Sequence, residues 1–238
     1  MVALYLNRPR AANRVSQLMA EELALAALHI NQDDSSRVVT LTGSGDVFSV
    51  GWELPRGVAS PDALSLAASA VASVQKPVVV AINGNAIGQG LELVLAGDIR
   101  IAATTARFAM PQARYGLLPW DGGTQRLSRL IGRAHALELL LMGDEIDAAA
   151  ALRMGLVNRV AAPEALPRMV EEVVEQVLSG APVALRYAKE AVWGGNEMTL
   201  SQGLRLEADL TMLLQSTKDR TEGIRSFAER RSAVFRGE

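Results

Sequence analysis

The spacing of apolar positions changes period several times along the chain, and each change marks an element. Val15, Leu18, Met19, Leu23, Ala26, Ala27 and Ile30 recur at helical spacing. A short β-branched run, "RVVTLTG" at 37–43, follows and stops at a glycine, so a helix feeds a strand. Residues 61–75 return to the helical period, and "KPVVVAINGNAIG" then begins as a continuous apolar run, the pattern of a strand covered on both faces. After the helix opened by Gly90 come the strand-like "DIRIAAT", the short "RFAMP", two helical stretches through "GGTQRLSRLIGRAHALELLLMG" and a last strand in "GLVNRVAAP". Beyond Pro163 only helical patterns remain, at 164–179, 182–193, 199–215 and 218–234. The pattern predicts a layered α/β core over 1–162 with a helical region over 163–238.

Composition narrows what such a chain could do. With 238 residues, 49% of them hydrophobic, it can fill a sizeable core. Twenty-four basic residues against twenty-six acidic ones leave a net charge of −2, so the electrostatic footprint of a nucleic-acid binder is missing. Without cysteine there is no thiolate nucleophile, disulfide framework or sulfur-ligated metal. The two histidines, His29 and His135, lie far apart in helical stretches, and no metal site is predicted. The start reaches Arg8 before any run long enough for a signal peptide, and no window has the apolar length of a membrane span. A cytoplasmic protein is predicted, with neither nucleic acid nor membrane as partner.

One stretch concentrates the chemistry. In "AINGNAIGQGLELVLAGDIRIA", residues 81–102, a buried strand runs through glycines straight into an apolar helix whose first turn carries Glu92. Glycines allow positive φ and close approach of a ligand to the backbone, and the helix start offers N–H groups, so the place suits negative charge. It is no dinucleotide fingerprint, because Leu93 stands where the third glycine belongs and no acidic residue follows about twenty positions on. It is no phosphate loop either, since Gly-Lys-Ser/Thr is missing. An oxyanion hole and a plain tight turn with Glu92 capping its own helix both remain open.

The motifs that accompany it are more telling. "LNRPRAANRVSQLMAEEL", "VVTLTGSGDVFSVGWEL", "KPVVVAINGNAIGQGLELVLAGDIRIAATTARFAMPQARYGLLPWDGGTQRLSRLIG" and "GLVNRV" stand in an order and spacing that resemble the crotonase superfamily, the enoyl-CoA hydratases and isomerases. The resemblance runs from Leu4 to the terminal "FAERRSAVFRGE". It implies a crotonase-like ββα superhelix with a C-terminal helical trimerisation region, assembled as a homotrimer or homohexamer. It also implies an acyl-CoA substrate, with coenzyme A entering as part of that substrate and no permanently bound cofactor. The chain reaches "LNRP" so soon that an edge strand of the first β unit is expected to be missing.

By the same resemblance, the enolate that forms on the thioester oxygen is stabilised by two backbone N–H groups, those of Trp52 and Gln89, each lowering the barrier by about 3 kcal/mol. Both positions depart from the small residues the pattern favours. Glu92 corresponds to one of the two glutamates that flank the reacting carbons, an acid/base group. Where the second belongs, in "AMPQARYGL", stands Gln112, whose amide holds a water or a carbonyl but exchanges no proton near neutral pH. Asp121, where the family more often has a small residue, is either a replacement acid or the N-cap of the helix that follows it. Trp52 and Trp120 are expected to border the acyl pocket as flat surfaces suited to a cyclic or aromatic group. Arg10, Ala11 and Ala12 are the candidate coenzyme A contacts, Arg10 as a phosphate partner. A serine-hydrolase reading through Ser49 fails, because neither histidine lies in a fitting motif. Three functions stay in view: an enoyl-CoA lyase or isomerase using Glu92, another crotonase chemistry such as thioester hydrolysis or decarboxylation, and acyl-CoA binding without turnover.

Overall fold

The computed structural model describes residues 1–53 and 66–238. Five strands, β1 (Val2–Leu6), β2 (Val39–Gly43), β3 (Val78–Ile82), β5 (Ile99–Ala103) and β8 (Arg159–Ala161), form a parallel sheet in that order. Parallel neighbours need crossovers, and here helices supply them: α1 (Gln17–Gln32) between β1 and β2, α2 (Ala67–Ala72) before β3, and α3 (Gln89–Leu95) before β5. Every residue of β3 is buried. Its alternate side chains serve two cores. Val78, Val80 and Ile82 pack among Met19, Leu23, Val71, Leu91 and Leu127, while Val79 and Ala81 pack with Ile101 against Val170 and Val173 of α6 (Leu166–Leu178).

A second, smaller layer runs beside the first. β4 (Ala86–Ile87) pairs in parallel with β6 (Arg107–Ala109), and β6 pairs antiparallel with β7 (Ile146–Asp147). Two isolated parallel bridges, Ser49 with Ala86 and Val15 with Trp52, extend this line into the earlier turns. Each turn of the superhelix therefore leaves a strand in the large sheet and a short segment in the small one. Successive turns stack at the spacing of hydrogen-bonded strands, about 4.8 Å, which places loops distant in sequence side by side.

The long helix α4 (Gly123–Met142) carries non-helical angles at Gly132, φ 76° and ψ 161°, in keeping with the two helical stretches expected there. Besides the two-residue β7 and the 3-10 turns, two elements escaped the sequence pattern. α5 (Ala148–Arg153) is an alanine run without periodicity, started by the Asp147 side chain accepting from Ala150 N at 2.7 Å. β1 is the other. It runs as Val2–Leu6 straight into "LNRP" and forms the edge of the large sheet, in register with Val39–Gly43. The expected helix over 61–75 is seen from Ala67, and its first residues, 61–65, lie outside the described residues.

The C-terminal end is helical, as α6, α7 (Pro182–Gly195), α8 (Leu200–Leu214) and α9 (Lys218–Glu229). Asp98 fastens α7 to the sheet: its carboxylate accepts from Val78 N at 2.7 Å, Lys189 Nζ at 2.7 Å and Trp193 Nε1 at 2.9 Å. The last helix stops at Glu229 rather than 234. Arg230 adopts φ 54°, and the tail folds back so that Asp219 accepts from Arg236 N and Gly237 N, both at 2.7 Å.

Candidate active site

Turns two and three of the superhelix meet through their backbones. Ser49 N donates to Asn85 O at 3.0 Å, and Ile87 N returns a bond to Ser49 O at 2.9 Å. Gly90 makes the approach possible, since a Cβ there would lie 2.2 Å from Ser49 O. Gly88, at φ 57° and ψ −122°, turns the chain into α3. On the facing loop, Val15 N donates to Gly51 O at 2.8 Å and Glu53 N to Val15 O at 2.9 Å. Strand alternation then directs the Trp52 N–H to the side away from Val15. A Cβ on Gly51 would lie 3.1 Å from Gln89 N, so the two expected donor loops touch at this point. Gln89 begins α3, where first-turn N–H groups point out of the helix end.

Glu92 is fully buried. Its role as a cap of its own helix is not what the structure shows, for α3 has no side-chain cap. Instead Oε1 accepts from Asp121 N and Gly123 N, each at 2.8 Å, at the start of α4. Gly123 leaves the room for this, since a Cβ there would sit 2.9 Å from Oε1. Oε2 is buried without a hydrogen-bond partner. Burial pushes the Glu92 carboxyl up from its ordinary 4.5 to about 7, with Asp121 adding to the rise and the two N–H groups and Arg126 opposing it.

Asp121 also departs from expectation. It does not cap α4, whose N-cap position is Gly122 without a side-chain bond. Its carboxylate reaches across to the start of α2, where Oδ2 accepts from Ala68 N at 2.6 Å and Oδ1 accepts from Ser69 N at 2.9 Å and Ser69 Oγ at 2.6 Å. Gln89 Nε2 donates to Oδ2 at 3.3 Å. A helix start supplies donors, and the nearest buried carboxylate satisfies them whichever element carries it.

Gln112 lies in a 3-10 turn, Pro111–Tyr115, with its amide against Gly88: a Cβ on that glycine would be 3.4 Å from Nε2. Gln112 Oε1 is buried and unpartnered. Among the described residues three buried side-chain polar atoms lack a partner, Arg37 Nε, Glu92 Oε2 and Gln112 Oε1, and two of them border this turn. Each such atom costs about 1–3 kcal/mol unless a partner completes it.

Trp52 and Trp120 do meet, but not as a flat wall. Their ring centroids are 4.9 Å apart and the planes cross at 80°, forming a corner in which one ring presents its edge. Arg10 is exposed on the turn Pro9–Ala11, and Ala12 O accepts from Val50 N at 3.2 Å, which ties that turn to the Trp52 loop. Asn13, which the sequence reading passed over, organises the same junction. Fully buried at φ 52°, it donates from Nδ2 to Ser44 O at 2.9 Å and Val47 O at 2.7 Å. An Asn beside "NRP" was the only sign, and Asn tolerates left-handed backbone. Ser49 Oγ donates to Asn13 O at 2.8 Å, a structural use that leaves it no histidine partner. A cavity of about 780 Å³ opens elsewhere, between α4 and α7, lined by Arg126, Leu130, Leu185 and Trp193. Glu92, Gln89 and Gln112 take no part in it.

The raised ionisation of Glu92 has a consequence for stability. An acid whose folded value lies above its unfolded one stabilises the fold in its protonated form, fully below about pH 4.5, and that contribution is lost as pH rises through about 7. Glu92→Gln keeps the shape and removes the ionisation. Urea unfolding is expected to show wild type and variant alike near pH 4 and the variant ahead by about 3 kcal/mol at pH 8; a gap independent of pH would refute the assignment.

Comparison with known proteins agrees with this geometry. A family model described as enoyl-CoA hydratase/isomerase matches residues 1–238. The crotonyl-CoA hydratase of Syntrophomonas wolfei is 36% identical, over 99% of this chain and 94% of its own length. The (E)-benzylidenesuccinyl-CoA hydratase of Thauera aromatica is also 36% identical, over 98% of this chain and 94% of its own. The crystal structure of an enoyl-CoA hydratase from Bacillus anthracis superposes with a TM-score of 0.93 at 38% identity, covering 100% of this chain and 96% of that one. Full-length matches of this kind, on a stacked ββα frame with the paired glycine loops in place, identify the chain as a member of the enoyl-CoA hydratase/isomerase family of the crotonase superfamily, a family of enzymes.

Proposed function

We propose that this chain acts on an α,β-unsaturated acyl-CoA thioester, holding the enolate oxygen on the backbone N–H groups of Trp52 and Gln89 and moving the proton with Glu92. One observation carries the reading: Glu92 Oε2 and Gln112 Oε1 are buried and unpartnered beside the loop pair, with Glu92 ionising at about 7. In hydration, a water oxygen bonds to the β-carbon as its proton passes to Glu92. The C=C electron pair moves onto the thioester oxygen as an enolate, and Glu92 returns the proton to the α-carbon. In isomerisation the same carboxylate takes an α- or γ-proton and returns it at the other end of the allylic system. Gln112 orients the water or the thioester and exchanges no proton. Coenzyme A enters as part of the substrate, its nucleotide end at Arg10, Ala11 and Ala12.

The corner formed by Trp52 and Trp120 favours a ring-bearing acyl group, which the benzylidene group in the name of the Thauera aromatica relative's substrate supports. Gln112 keeps a second reading alive, namely hydrolysis or decarboxylation of the thioester, in which one carboxylate suffices. Loss of conjugated-thioester absorbance separates these. Cinnamoyl-CoA is expected to be hydrated faster than crotonyl-CoA, and Gln112→Glu to raise crotonyl-CoA hydration by about 10-fold or more. Consumption with release of free thiol would point to hydrolysis, and an inert wild type to binding alone.

Assembly belongs to the same proposal. Leu200, Leu204, Met212, Ile224 and Phe227 are all more than half exposed on α8 and α9, an apolar surface a soluble single chain would not keep. A homotrimer or homohexamer buries it. Light scattering on the purified chain is expected to give the mass of three or six copies, and a monomer at micromolar concentration would contradict this.

A further inference from the structure

Asp121 is 1% exposed and uses every polar atom it has. Its N–H donates to Glu92 Oε1 at 2.8 Å and its carbonyl accepts from Arg126 Nη1 at 2.8 Å. Its carboxylate gathers the four donors on α2 and Gln89 described above, at 2.6 to 3.3 Å. A proton on either oxygen would face a donor already in place, so proton uptake would break at least one of these bonds. Glu92 has the opposite arrangement, one oxygen held and the other buried without a partner. Two carboxylates one contact apart are thus divided by their surroundings, one fixed and one open to reaction.

The pairing also accounts for two departures from the small residues the family pattern favours. Gln89 and Asp121 bond to each other at 3.3 Å, so a long amide at the oxyanion turn and an acid at the α4 start answer one another. The same carboxylate pins Ala68 and Ser69 at the start of α2, and its own backbone N–H steers Glu92.

We infer that Asp121 is a positioning residue: it locks the Gln89 turn, the start of α2 and the donor that holds Glu92 into one register, and it exchanges no proton with the substrate. This rests on the thioester reading above and adds to it the group that keeps Gln89 and Glu92 in place.

Asp121→Asn tests it, because the amide has nearly the same shape but turns an NH₂ toward donors. With whichever enoyl thioester the wild type turns over, kcat is expected to fall roughly 10- to 100-fold with KM within a few-fold, the signature of a displaced site. Among the described residues the charged groups acting on Glu92 are Asp121, which holds its ionisation up, and Arg126, which lowers it. The Glu92 limb of the pH profile should therefore persist in Asp121→Asn and move to lower pH. Carbon-13 NMR of the Glu92 carboxyl reads the same shift without turnover, so an inert wild type would sink the thioester reading and leave the positioning role measurable. Disappearance of an ionisation from the profile would make Asp121 a proton carrier and overturn the inference, as would wild-type kcat and an unmoved Glu92. Should Asp121→Asn fail to fold, Gln89→Ala and Ser69→Ala each remove a single bond to the carboxylate. Both are expected to lose kcat several-fold with the Glu92 limb retained, and full activity in both would be decisive against it.

Discussion

The site depends on how closely two backbone loops can approach. Ser49 O comes so near to Gly90 that no side chain fits between them, and the bonds Ser49–Asn85 and Ile87–Ser49 hold the loops in that contact. Stacked turns of a parallel superhelix bring such loops to neighbouring positions, and glycine removes the last obstacle. From this contact follows the meeting of Gly51 with Gln89, and with it the adjacency of the two proposed donor loops. Asn13, buried and bonded to Ser44 and Val47, keeps the first loop from relaxing.

On that frame the carboxylates trade helix starts. Glu92, rooted in α3, satisfies α4, and Asp121, rooted at α4, satisfies α2. Each bond crosses between elements, so the helices around the site cannot shift independently. The arrangement leaves Glu92 half satisfied in a dry place, which destabilises its charged form and brings its ionisation to about 7. A group poised there can accept and return a proton at neutral pH with little cost either way.

Much of the frame was legible in the sequence, because the apolar run of β3, the helical period of α1 and the glycine turn at 88–90 are local signals. β1 and α5 were not, since an edge strand needs only alternating burial and an alanine run carries no period. At the site, the family resemblance named Trp52, Gln89, Glu92, Gln112 and Asp121, while the capping options left open for Glu92 and Asp121 pointed to helices other than those they serve. Capping was read along the chain, whereas Glu92 and Asp121 cap helices that the fold brings to them. Long-range partners such as Ala68 and Ser69 leave no trace in sequence spacing. The tryptophan corner escaped for a similar reason: the family resemblance suggests that the two rings share a site, and packing alone decides that their planes cross.

The most direct test of the central claim, that the buried Glu92 carboxylate carries the proton, compares wild type with Glu92→Gln in the hydration of an enoyl-CoA thioester across pH. The account predicts a wild-type ionisation near 7 and a loss of about 10²- to 10⁴-fold in kcat for the variant, with thioester affinity within a few-fold. A variant that keeps wild-type kcat would show that another group moves the proton.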